Sequence, residues 1–359
     1  MAEDFIISRE NVKKEKIPKK TRIIVNVILS VVLAFSLLFD AAAFGLMLKP
    51  TETTGAAKEE MVDIVKSESK DVTYFLVLGT DESSALTDIM MLVCFDHGAK
   101  KINILQIPRD TYIGSDIPTG KINAVYGSAK KGESKINVLM KRINTHLGLP
   151  IDHYVTVSIS AFRKIVDAVG GVDVYIPQDM LAYDSKAAAY HFDKGMNHLD
   201  GGEAEAFVRY RRGYAMGDLG RVEAQRNFYA AFLKAVMEMS YSEMASVATK
   251  CYSDFNTSMA MGTIIGYAQE VQKLDMSAIN IYSVPGQSGT FSPNGQALSY
   301  YSIHKQDFVD LINEHFLPYE RYEKVTQDLQ INELHNTYYE GVLDNDDTSL
   351  GDYVDGNRD

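Results

Sequence analysis

Cysteine is almost absent. Cys94 and Cys251 are the only two, which leaves no disulfide framework and no zinc-type spacing. Cys94 sits inside the apolar run 90–95, where a buried free thiol is expected. Positive charge is also scarce: 36 Lys and Arg stand against 48 Asp and Glu, a net charge of −12. That balance excludes a general nucleic-acid binder, because a phosphate-backbone reader needs a basic surface. The eight histidines are scattered without ligand spacing, and no internal repeat is visible. Apolar residues are not scarce. At 46% of 359 residues they suffice for one large globular domain plus accessories and exclude disorder for most of the chain.

Against this acidic background one stretch stands out. Residues 207–226 hold five arginines (Arg209, Arg211, Arg212, Arg221 and Arg226) around Asp218. If 208–211 is extended, period-two alternation places Arg209 and Arg211 on one face. Asp218 is a good N-cap for a helix that carries Arg221 and Gln225 at i and i+4. A helix N-terminus beside planar guanidinium forks is suited to phosphate or pyrophosphate.

The N-terminal residues differ in kind. Residues 1–22 carry seven bases against four acids and precede an apolar run over 23–48. Twenty-six residues can span about 30 Å of hydrocarbon, and the basic flank predicts a cytoplasmic N-terminus with the remainder outside. Asp40 interrupts the run, and Ala41-Ala42-Ala43 offers small residues to a signal peptidase. The length of the run favours a retained single-pass anchor in the cell membrane. Residues 49–70 read as a linker.

Order is expected from Asp71. Strands are predicted over 72–78, 89–95 and 102–107, with Asp81 and Asp88 flanking the first connection and Arg109 at the exit of the third. Chemistry at adjacent strand ends is the usual arrangement in α/β proteins. A short helical stretch begins at Lys121. An amphipathic helix follows over 134–147, then a strand over 152–159, a helix stopped by Gly170-Gly171, and a strand over 172–176. Residues 178–202 read as a polar excursion into a helix near 203–207, and a long helix covers 219–239. Further on are a helix over 259–274 capped by Thr257 or Ser258, a strand over 279–284, a turn over 285–289 and a helix over 304–316. Residues 320–359 read as a C-terminal extension. Its end, 340–359, holds seven acids against one Arg and reads as a disordered tail.

In order, Gly79-Thr-Asp81, Thr87-Asp88, Ile-Pro-Arg109-Asp-Thr, Lys121-Ile-Asn-Ala-Val-Tyr, Val-Asp167-Ala-Val-Gly-Gly-Val-Asp-Val, Tyr210-Arg-Arg and Gly-Asp218-Leu-Gly-Arg221 with Gln225 resemble the motifs of the LytR-CpsA-Psr family. The resemblance covers roughly residues 71–319. It implies a single extracytoplasmic α/β domain with a central mixed β-sheet flanked by helices, preceded by one transmembrane helix. It also implies a Mg²⁺-dependent phosphotransferase that moves a glycopolymer from a polyprenyl diphosphate carrier to peptidoglycan. Carried over by position, Asp81 and Asp88 are implied as metal and pyrophosphate acids. Arg109, Arg209, Arg211 and Arg221 are implied as phosphate binders, with Lys121, Asp218 and Gln225 as substrate contacts. The chain departs from the pattern at Leu86 and Ala224, where the family commonly has arginine; Arg212 and Arg226 are the neighbouring candidates to replace them. These departures keep in view a protein that binds the lipid-linked polymer or regulates the envelope without transferring it. Because the same Mg²⁺ and arginines could let water attack, a polyprenyl diphosphate pyrophosphatase is a second alternative.

Overall fold

The structure is a computed structural model that describes residues 71–80, 86–117, 119–210, 213–214, 218–292, 295, 297–318, 329–331, 333–334 and 349–354. All of them belong to one compact unit, Thr54–Asp359. The expected basic segment 1–22, transmembrane helix 23–48 and linker 49–70 lie outside the described residues. Among those described, no helix is long and apolar enough to cross a membrane.

A six-stranded mixed sheet in the order β10-β3-β2-β1-β4-β9 organises the fold. Its strands are β1 (Val72–Thr80), β2 (Thr87–Asp96), β3 (Lys101–Gln106), β4 (His153–Ser158), β9 (Phe255–Thr257) and β10 (Ile279–Ser283). Alternation divides their side chains between two cores. Tyr74, Leu76, Leu78, Leu92 and Leu105 face one layer, while Phe75, Phe95, Ile102 and Ile104 face the other. The first layer is closed by α1 (Lys135–Leu147) and α7 (Lys305–His315), which contribute Leu139, Ile143, Phe308 and Ile312. The second is closed by α4 (Asp218–Met237) and α6 (Met261–Val271). Cys94 is buried and free, and burial pushes its thiol up to about 12. The α/β class with a central mixed sheet is thus the one expected.

A third core lies under a side layer. It joins α2 (Ile159–Ala168), β5 (Val172–Ile176), β8 (Gly195–Leu199), α3 (Gly201–Arg209) and part of α4. Gly170 and Gly171 end α2 with φ of 93° and 86°, a region that favours glycine. Arg163 of α2 bridges the buried carboxylates of Asp184 and Glu205, tying this layer together.

Several expectations need correction. The excursion over 178–202 contains strands β6 (Met180–Tyr183), β7 (Ala189–Phe192) and β8; each is short, and Leu181, Tyr183 and Met196 lie exposed on the open faces of β6 and β8. The turn expected at 285–289 is the start of β11 (Gly286–Phe291), which pairs with β12 (Leu298–Ile303). Neither Thr257 nor Ser258 caps α6, because the Thr257 hydroxyl donates to Tyr154 O and the Ser258 hydroxyl accepts from Tyr154 N. Helix α5 (Tyr241–Cys251), missed in the sequence, starts with a capping box from Ser240 and Glu243.

Within the acidic tail, residues 349–354 need correction. Ser349 bridges to Asn280 on the sheet edge, Leu350 N donates to Ile279 O at 2.7 Å, and α8 (Gly351–Val354) packs on α4. Leu350 and Tyr353 are buried in the second core. Two apolar anchors outweigh the surrounding acids over this short segment.

His146, buried in α1, donates from Nε2 to Ile113 O at 3.0 Å. Burial, then the charge of Arg142, holds its pKa below the usual value. The unfolded chain therefore takes up this proton first. Its contribution to stability is complete above about pH 6.5 and is lost as pH falls through the depressed folded value. Urea unfolding should show lower stability at pH 5.5 than at 7.5, and His146→Gln should reduce that difference. An identical pH slope in the variant would contradict this assignment.

Candidate functional site

The pairing of β1 with β2 skips one residue. Gly79 pairs with Ile89 and Thr80 with Thr87, so Asp88 is the extra residue of a bulge. A Cβ at Gly79 would lie 3.0 Å from Ile89 Cβ, so the missing side chain permits this close passage. The bulge places Asp88 beside the exit of β3, where Ile107-Pro108 leads to Arg109. Arg109 Nη1 donates to Asp88 Oδ1 at 2.6 Å. Both side chains are partly exposed, so this pair is accessible to a ligand.

From Arg109 the charges continue in a line. Its Nε lies 3.9 Å from Asp110 Oδ2, and Lys121 Nζ donates to Asp110 Oδ1 at 3.0 Å. The Lys121 ammonium also sits 5.5 Å from the centre of the Tyr300 ring.

Helix α4 supplies the opposite wall. Arg221, Gln225 and Tyr229 follow one another at i, i+4 and i+8, and all three line a narrow cleft with Asp88, Gln106 and Arg109. The cleft has an internal volume of about 30 Å³. Gln225 Nε2 donates to Val208 O at 2.9 Å and so ties α4 to the end of α3. Arg221 is buried, which places a guanidinium in the wall instead of on a solvated face.

Of the sequence candidates, Asp88, Arg109, Arg221 and Gln225 converge here. Lys121 does not line the cleft but joins it through Asp110. Arg209 needs correction: it is the last residue of α3, not part of a strand, because Asp200 and Glu203 form a capping box and Ala204, Ala206, Phe207 and Val208 are buried by the helix. Its Nε is 3.7 Å from Glu205 Oε1, and it does not line the cleft. Asp218 stands at the N-terminal end of α4. Asp81, Arg211 and Arg212 lie outside the described residues. Arg226 does not compensate from within the cleft, because it is fully buried behind it.

Tyr229 was missed. Its spacing from Arg221 and Gln225 on one helix face is the signal that could have found it. Burial pushes its hydroxyl above the usual value, with the Arg221 charge opposing, so it remains a neutral donor. No group of three or more His, Cys, Asp or Glu suited to a metal occurs among the described residues. The carboxylate in the cleft, Asp88, has the hard oxygens that Mg²⁺ prefers, and such sites commonly take one or two carboxylates plus phosphate oxygens. The donor set therefore fits Mg²⁺ held jointly with a phosphorylated ligand.

The LytR_cpsA_psr family model matches residues 46–316. The chain is 29% identical over 218 residues to the polyisoprenyl-teichoic acid–peptidoglycan teichoic acid transferase TagV of Bacillus subtilis (strain 168), covering 58% of this chain and 54% of that protein. It is 31% identical over 220 residues to TagU of Bacillus mycoides (strain KBAB4), a transferase of the same name, covering 60% and 66%. The chain thus spans about half to two thirds of the length of these relatives. The crystal structure of B. subtilis TagV superposes with a TM-score of 0.58 at 25% identity, over 73% of this chain and 98% of that one.

Arg109→Lys and Arg221→Lys keep the charge and remove the planar fork. Each should lose about 1.5–3 kcal/mol of diphosphate binding, roughly one to two orders of magnitude in affinity. Arg142→Lys, a change at the surface pair with Asp116, should leave affinity within about twofold. Titration calorimetry with pyrophosphate measures all three, and equal small losses would show that Arg109 and Arg221 do not hold a diphosphate.

Proposed function

Because the chain belongs to the LytR_cpsA_psr family, we propose that it transfers a phosphate-linked glycopolymer, a teichoic acid or another secondary wall polysaccharide such as a capsule, from a polyprenyl diphosphate carrier to peptidoglycan. The observation that carries this reading is the meeting of Asp88, Arg109, Arg221 and Gln225 at one cleft, drawn from a strand bulge, a strand exit and one helix face. The names of the TagV and TagU relatives support teichoic acid as the polymer class. The basic segment 1–22 and apolar run 23–48 support a single-pass anchor in the cell membrane that holds the domain outside, beside the carrier lipid.

In this reading the acceptor hydroxyl loses its proton and forms a bond to the phosphorus attached to the glycopolymer. The bond from that phosphorus to the bridging oxygen breaks, and polyprenyl phosphate leaves. Negative charge grows on the bridging oxygen, and the groups most useful to the reaction are cations fixed before it begins. Arg109 and Arg221 hold the non-bridging oxygens from opposite walls. Gln225, bonded to Val208, keeps the α4 wall in place. Asp88 orients Arg109 and, with Asp81, is the proposed ligand of Mg²⁺, which when bound would neutralise phosphate charge. Arg211, Lys121 and Asp218 are proposed contacts to the remaining phosphate and sugar.

The test combines the membrane-embedded full chain, a lipid-linked saccharide, Mg²⁺ and peptidoglycan fragments. Saccharide-phosphate attached to peptidoglycan is the expected product. Chelation should abolish it, and Asp88→Ala should lower its rate by at least about 100-fold with the fold intact. Free polyprenyl phosphate with released sugar phosphate would show a hydrolase instead, and tight binding without product would show a carrier. Protease added outside intact cells should remove the domain and leave a membrane-bound N-terminal fragment. A soluble mature chain beginning near Ala43 would contradict the anchor.

A further inference from the structure

Behind the cleft lies a cation that the proposed reaction does not use. Arg226 is 1% exposed. Its Nε donates to Gln106 Oε1 at 2.9 Å, its Nη2 to Ser283 Oγ at 2.9 Å and its Nη1 to the Tyr353 hydroxyl at 3.0 Å. All three acceptors are neutral. The Tyr353 hydroxyl in turn donates to Glu223 Oε1 at 3.4 Å, so the nearest compensating charge in this network is one residue removed. Burying a guanidinium on neutral partners is costly and stabilises the fold less than a well-packed apolar side chain of similar volume could.

Gln106 accounts for the arrangement. It ends β3 and lines the cleft, and its amide oxygen is committed to Arg226. The Ser283 hydroxyl approaches the same oxygen at 3.5 Å. An amide whose oxygen is fixed on one side presents its N–H₂ on the other. That N–H₂ makes no hydrogen bond among the described residues. Because guanidinium donates only, it cannot accept from the amide, and the opposite flip would set two donors against each other.

We propose that Gln106 is a third anion donor of the cleft, aimed by Arg226, and that Tyr353 of the C-terminal segment is the positioning residue that holds this arginine. The segment is well placed for the task. Leu350 pairs with the edge of β10, the strand of Ser283, while Tyr353 packs on α4, the helix of Arg226. The ligand is the diphosphate, or one phosphate, of the lipid carrier. The proposal rests on the transferase reading for that identity, but its geometry needs only an anion in the cleft.

Two variants of the full chain test it, with geranylgeranyl diphosphate and inorganic pyrophosphate as probes. Gln106→Glu is nearly isosteric and offers Arg226 a carboxylate, so the melting temperature should hold or rise, yet the N–H₂ donor is gone and diphosphate binding should weaken at least about tenfold. Tyr353→Phe keeps the ring and removes the hydroxyl; binding should weaken about threefold or more at a temperature where the variant is fully folded. Weakening for both probes assigns the contact to phosphate, and weakening for the lipid alone assigns it to the lipid-bound pose. Unchanged affinity in Gln106→Glu overturns the proposal. A melting shift in Tyr353→Phe with unchanged affinity reduces Tyr353 to a structural role and overturns its part. If the unaltered chain binds neither probe, the anion-cleft reading fails and this inference with it. Binding by the unaltered chain without transfer would instead reject only the transferase step.

Discussion

One buried guanidinium joins parts of the chain that are far apart in sequence. Arg226 on α4 bonds to Gln106 at the end of β3, to Ser283 at the end of β10 and to Tyr353 near the C-terminus. Those contacts set the height of α4 across the ends of the sheet. Once that height is set, Arg221 and Gln225 can fall opposite Asp88 and Arg109 only at one register of the helix. A guanidinium suits this task because its planar fork fixes direction as well as distance. The cleft is therefore a consequence of how α4 is bolted to the sheet, and its charges follow from helix periodicity.

The same layout divides the labour of the site. The sheet contributes rigid positions through a bulge at Asp88 and a strand exit at Arg109. The helix contributes a face. Chemistry at the ends of adjacent strands can vary in its loops while the scaffold holds still. The ion pair between Asp88 and Arg109 keeps each group oriented before a ligand arrives, which lowers the reorganisation needed when a phosphate enters.

Much of this was legible in the sequence where one physical signal dominated. The alternating apolar strands β1 to β3, the amphipathic α1 and the Gly170-Gly171 stop all follow from periodicity or backbone freedom. Arg221 and Gln225 follow from helical spacing. Arg209 was misplaced because Val208-Arg-Tyr-Arg alternates like a strand, while the capping box at Asp200 and Glu203 carries the helix through it. The strands β6 to β8 are too short to stand out, and apolar residues on the open faces of β6 and β8 (Leu181, Tyr183, Met196) blur their alternation, while glycines at 286 and 289 hide β11. The bulge at Asp88 is invisible to any rule of alternation, since it appears only when two strands are paired. The order at residues 349–354 was masked by composition, because Leu350 and Tyr353 act through tertiary burial that a count of acids does not register.

The most direct measurement is a crystal structure of the chain with Mg²⁺ and geranylgeranyl diphosphate bound. The account predicts the diphosphate between Arg109 and Arg221, with Asp88 on the metal side. A diphosphate bound elsewhere, with Arg109 still closed on Asp88 and the cleft holding only water, would contradict it.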